Sequence, residues 1–77
     1  MTRDEFYFTA LEVVAAIKSL SITDRNRVNK VAVIKSKFDK KYGVDVTEAF
    51  RKTFKEGSSN GNIIARYITE EWMENNG

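Results

Sequence analysis

The sequence predicts an all-α fold, a small bundle of about four helices, and three observations predict it. Proline is absent from the 77 residues and only four glycines occur, so the backbone has few breakers. Apolar residues recur at steps of three and four in four successive segments, the spacing of one helix face. Between those segments stand short polar stretches with helix-start residues at their ends. The expected helices lie near 3–20, 24–42, 46–56 and 62–74, in a single helical domain covering 1–77.

The first helix is expected to be central. Phe6 to Leu20 holds eleven apolar residues in fifteen, and Glu5, Thr9, Glu12 and Ser19, with Ala16, form its one narrow polar stripe. Thr2 followed by Glu5 has the form of a capping box, and Asp4 and Glu5 suit the positive end of the helix dipole. Ser21, Ile22 and Thr23 form a short connection, with Thr23 expected to cap the second helix.

In the second helix Val28, Val31, Ile34, Phe38 and Tyr42, with Ala32 beside them, make a core-facing stripe. Lys30, Lys37, Lys40 and Lys41 fall away from it, and Val33 sits among them as an exposed apolar residue. Gly43 is expected to end the helix in the left-handed conformation. Asp45 and Glu48 repeat the capping spacing before Val46, Ala49, Phe50, Thr53 and Phe54, whose aromatics read as core. A strand over 42–47 competes with this reading but has no second strand to pair with.

The segment Gly57 to Asn62 is the one polar loop of any length, with Asn62 or Ser59 expected to cap the last helix. That helix carries Ile63, Ile64, Tyr67, Ile68, Trp72 and Met73, and 75–77 is expected to fray.

Composition excludes several chemistries. Without cysteine, disulfides and thiolate metal sites are ruled out, and without histidine the commonest general base and metal ligand are gone. The adjacent carboxylates Asp4/Glu5 and Glu70/Glu71 point in different directions on a helix and make no acid/base pair. Glu56 to Tyr67 has the outline of a calcium loop but ends on Tyr67 where a closing glutamate is needed. No phosphate-cradling glycine motif occurs. The expectation is therefore a non-enzyme with no cofactor and no metal. The first apolar stretch is too interrupted to span a bilayer or to be a signal peptide, so a cytoplasmic protein without membrane insertion is expected.

Charge is unevenly placed. The net +2 conceals a net of +5 over residues 21–56 between ends of −1 and −2. Arg25, Arg27, Lys30, Lys37, Lys41, Arg51, Lys52 and Lys55 are the candidate nucleic-acid contacts if that region meets a polyanion. A helix-turn-helix fits imperfectly in two registers, with the turn at Gly43 or at Gly57. The first puts Asp39 where a small residue is usual and Lys52 where an aliphatic belongs; the second misplaces Ser58 and Arg66.

The leading expectation is a protein-interaction module, an adaptor or inhibitor acting on a partner protein whose identity the sequence does not carry. Its size and composition suit a small phage- or plasmid-type regulator. Candidate contacts are Phe8, Leu11 and Ala15 on the first helix, Val33 on the second, and Trp72 within the acidic group Glu70, Glu71 and Glu74. Self-association through the uncovered part of the first helix is a further expectation. A small nucleic-acid-binding regulator is the alternative.

Overall fold

A computed structural model describes residues 1–20 and 23–76. It contains four helices, α1 (Arg3–Lys18), α2 (Arg27–Tyr42), α3 (Val46–Lys55) and α4 (Gly61–Asn76), and no strand among the described residues. Ser21 and Ile22 of the expected first connection, and Gly77, lie outside them.

Each boundary has a local cause. Thr2 Oγ1 accepts from the Glu5 amide while Glu5 Oε1 accepts from the Thr2 amide, completing the capping box. α1 stops at Lys18, two residues early, because the Leu20 amide turns back tightly onto the Ile17 carbonyl. α2 starts at Arg27 and not Asp24. The Asp24 carboxylate accepts from the Asn26 amide at 2.8 Å, holding residues 24–26 in a turn of their own, and Asn26 takes the cap position expected of Thr23.

Gly43 takes the expected left-handed conformation (φ 67°) at the end of α2. Asp45 then accepts from the Glu48 amide at 3.0 Å to start α3. Asn60, not Asn62 or Ser59, opens α4: its carbonyl accepts from Ile63 and Ile64 and its side chain from Asn62. α4 extends through 75–76, where fraying is expected from the sequence: Asn75 Nδ2 donates to the Gly43 carbonyl and Asn76 Nδ2 to that of Trp72.

The helices alternate in direction. Phe6 packs on Trp72 while Lys18 donates to the Ser59 carbonyl, so α1 and α4 run antiparallel. Phe6 also meets Phe38 and Tyr42 near the end of α2. α3 begins where α2 and α4 end, tied by Asp45 N–H to Glu71 at 3.1 Å and by Val46 N–H to Asp39 at 3.0 Å. Each helix packs against two neighbours, α1 and α3 both lying against α2 and α4.

The core is built from Phe6, Ala10, Val13, Val14 and Ile17 of α1, Phe38 of α2, Val44, Val46 and Ala49 around the start of α3, and Ile64, Ala65 and Ile68 of α4. α1 supplies more of it than any other helix, as expected of a central element. The hydroxyls of Thr53 and Thr69, both buried, donate to the carbonyls four residues earlier.

Two expectations about the core fail. Val28 and Ala32 are exposed and Phe38 alone of the α2 stripe is buried, with Val31, Ile34 and Tyr42 partly so, because α2 leaves the bundle towards its N-terminus. Phe54 is also exposed: α3 is short, and the face that packs on α4 is filled by Val46, Ala49 and Thr53.

Asp39 sits part-buried under the α2–α3 turn, and desolvation raises its pKa despite the hydrogen bond from Val46. A raised folded-state value means that Asp39 contributes stability below its unfolded pKa and loses it as pH rises through the folded one. Asp39→Asn keeps an acceptor for Val46 and removes the charge. Thermal melts between about pH 3 and about pH 7 should therefore show the variant gaining on the parent as pH rises. A constant difference across that range would contradict it.

Candidate partner-binding surface

Large apolar side chains left in water are the candidates for contact with another molecule. Phe8 (63%), Val28 (76%), Val33 (53%) and Phe54 (56%) are the most exposed of them in the helices. They fall into separate regions.

Phe8 and Ala15 lie on the outer face of α1, with Leu11 part-buried on its flank and the Tyr7 ring edge-on to Phe8 at 6.0 Å. The two faces of α1 that are covered go to α2 and α4, and the Phe8 side is not. Val33 lies apart, in a shallow apolar recess with Leu20, Asn29, Lys30 and Ile34.

At the other end of the molecule from the Phe6–Trp72 stack, α2 and α3 diverge. The opening forms a cleft of about 360 Å³. Ile17 is its floor, Val31 one wall, and Phe50 and Phe54 the other, while Lys18, Arg27 and Lys35 stand round it with Ser59. No acidic residue lines this cleft. Lys18 is held by the Ser59 carbonyl and Lys35 by Thr47 Oγ1 at 2.8 Å, both neutral acceptors, with Lys35 also in the field of the Asp39 carboxylate. The Nε of Arg27 is buried without a hydrogen-bond partner among the described residues.

The alternating helices convert the uneven charge of the sequence into an end-to-end polarity. The cleft end collects Lys18, Arg27 and Lys55, and α2 and α4 begin there with no acidic residue in their first turns. The opposite end collects Asp4, Glu5, Asp45, Glu71 and Glu74 together with Arg3, Lys40 and Lys41.

The acidic candidates are partly committed within the fold. Trp72 lies flat on Phe6 with centroids 4.4 Å apart and is half-buried, closing the core. Glu71 accepts from the Asp45 amide. Glu70 and Glu74 are exposed, as is Met73.

The cationic candidates divide between two faces. Lys37 and Lys41 border a groove against Thr9, Glu12 and Val13 of α1, and Lys30, on the same line of α2, pairs with Asp24 at 2.6 Å. α3 packs on the other flank of α2, through Lys35 and Asp39, so Arg51, Lys52 and Lys55 do not extend the lysine line. Arg51 pairs with Glu48 at 2.9 Å, and Lys52 reaches over the Tyr67 ring. Tyr67 itself donates to Glu56, which raises the phenol pKa. Arg25 is exposed in the turn before α2.

The helix-turn-helix register at Gly43 has a three-residue turn with left-handed Gly43 and buried Val44 and Ala49. Thr47, Arg51 and Lys52 are exposed on α3, and Asp39 occupies the small-residue position by bonding to Val46. The Gly57 register leaves Arg66 exposed and Ser58 half-buried.

Among the described residues no group of acidic side chains is arranged to hold a metal ion, and no helix is long and apolar enough to cross a membrane. The cleft was not among the sequence-derived candidates. Its signal was Phe50 and Phe54, four residues apart on a helix too short to bury both. Comparison with known protein families, curated proteins and solved structures finds no match for the chain.

Proposed function

We propose that the chain is a non-catalytic protein-interaction module, an adaptor or inhibitor that acts by occupying a partner's surface. The observation that carries this reading is the set of large apolar side chains kept in water on a domain whose core is otherwise closed, Phe8 and Phe54 foremost. Neither ring is needed for the core, so their retention on the surface favours a role in contact.

The test is quantitative affinity capture from the cell of origin, comparing the parent with Phe8→Ser and Phe54→Ser. Exposed positions of this kind alter stability by about 0.5 kcal/mol or less, so both variants should melt with the parent. A protein retained by the parent and lost with either variant supports the reading. Identical captures by all three chains would sink it.

A second reading is favoured by the Gly43 turn: duplex DNA contacted by Thr47, Arg51 and Lys52 of α3. It requires retention on duplex DNA that weakens steeply with salt and falls with Arg51→Ala. No retention at low salt dismisses it.

A further inference from the structure

We infer that the cleft between α2 and α3 takes an acidic amphipathic helical segment of the partner protein, its apolar side chains on Ile17, Val31, Phe50 and Phe54 and its carboxylates on Lys18, Arg27 and Lys35. This rests on the interaction reading above and gives the partner its chemistry.

The shape comes first. The wall from Arg27 to Lys35 is about 12 Å long at 1.5 Å per residue, two turns of an incoming helix. The apolar floor between walls that diverge is the geometry of helix-in-groove recognition. A cleft of about 360 Å³ is at the small end of ligand pockets and takes a few anchors, not a whole folded surface.

Charge then selects the occupant. Three cations and no anion line the cleft, and two of the cations are oriented by neutral oxygens. The Arg27 guanidinium, whose buried Nε is without a partner among the described residues, adds a third positive charge to the lining that a carboxylate would offset. A neutral or basic helix would leave these groups desolvated and unpaired. The chain's own acidic end does not serve: Trp72 is stacked on Phe6 and Glu71 is bonded to Asp45. Joining that end to the cleft of another copy would also be head-to-tail, an arrangement that propagates unless its rotation closes a ring.

The probe is a fluorescein-labelled synthetic helix of about four turns, leucine at three-and-four spacing and glutamate elsewhere, titrated with the full chain by fluorescence anisotropy. Two control peptides replace every glutamate by lysine or every leucine by serine. The expected result is binding of the first peptide alone, weakened about tenfold by Phe54→Ser and about tenfold by paired Arg27→Gln and Lys35→Gln, and unchanged by Phe8→Ser. Melting curves establish that each variant folds.

Loss with Phe8→Ser and persistence with Phe54→Ser would overturn the cleft assignment while leaving the interaction reading intact. Equal binding of the leucine-to-serine peptide would overturn it as mere charge attraction. So would the absence of peptide binding at high micromolar concentration, or dodecanoate shifting the Phe50 and Phe54 NMR signals where the peptide does not. The interaction reading falls on the capture experiment alone, which uses no designed peptide.

Discussion

Phe6→Ala is expected to remove a large fraction of the stability of the fold. Phe6 is fully buried and meets Phe38, Tyr42 and Trp72, with ring centroids 6.0, 5.2 and 4.4 Å away. It is the residue through which α1, α2 and α4 touch at one point. Truncating a core phenylalanine to alanine costs about 3–5 kcal/mol, from lost transfer energy and the cavity left behind. A domain of this length has roughly 4–11 kcal/mol in total. The loss is therefore a large fraction of the whole, and the melting midpoint should fall by at least ~15 °C. Circular dichroism at 222 nm against temperature measures it. A fall of only a few degrees would mean that Trp72 and Tyr42 collapse into the space, and that the aromatic cluster does not act as the keystone.

Much of the fold was legible in the sequence because it rests on local rules. Thr2 and Glu5 announce a helix start through backbone donors within reach of their own side chains, and Gly43 announces a helix end through a backbone conformation that favours glycine. The central role of α1 follows from the number of apolar residues it must cover. What the spacing of a single helix cannot carry is which neighbour covers each face. Val28 shares a stripe with Val31 and Phe38, yet only tertiary divergence of α2 and α3 decides that Val28 is left in water.

The candidate surface divides in the same way. Val33 and Phe8 were legible as apolar residues without cover, and they are exposed. The cleft was not, because its residues come from three helices and the loop before α4, and no sequence spacing joins Ile17 to Phe54. The apparent basic field over residues 21–56 also separated on folding: a cation's position along the chain fixes its helix but not the flank it presents. Lys37 and Arg51 belong to one charge run and to different faces.

Ala65→Leu should also destabilise the fold markedly, for the opposite physical reason to loss of the Phe6 ring. The pairs Phe6–Trp72 and Val14–Gly61 fix the antiparallel packing of α1 on α4, and Ala10 and Ala65 lie midway between them, both fully buried. A Cβ added at Gly61 would meet Val14 Cγ1 at 3.5 Å, so the Val14 side chain already fills the space against the start of α4. Leucine at 65 brings three further carbons to a site with no room, and overpacking of this sort costs about 1–3 kcal/mol, occasionally more. Relief would require α4 to move away from α1. That movement would pull Trp72 off Phe6 and Asn75 off Gly43, so the strain is felt at the far end of the helix. The expected result is a lower midpoint in urea, accompanied by a red-shifted Trp72 emission in the still-folded protein as its ring gains water. Unchanged emission with a lowered midpoint would place the accommodation around residue 65 itself and refute the rigid coupling of the two ends of α4.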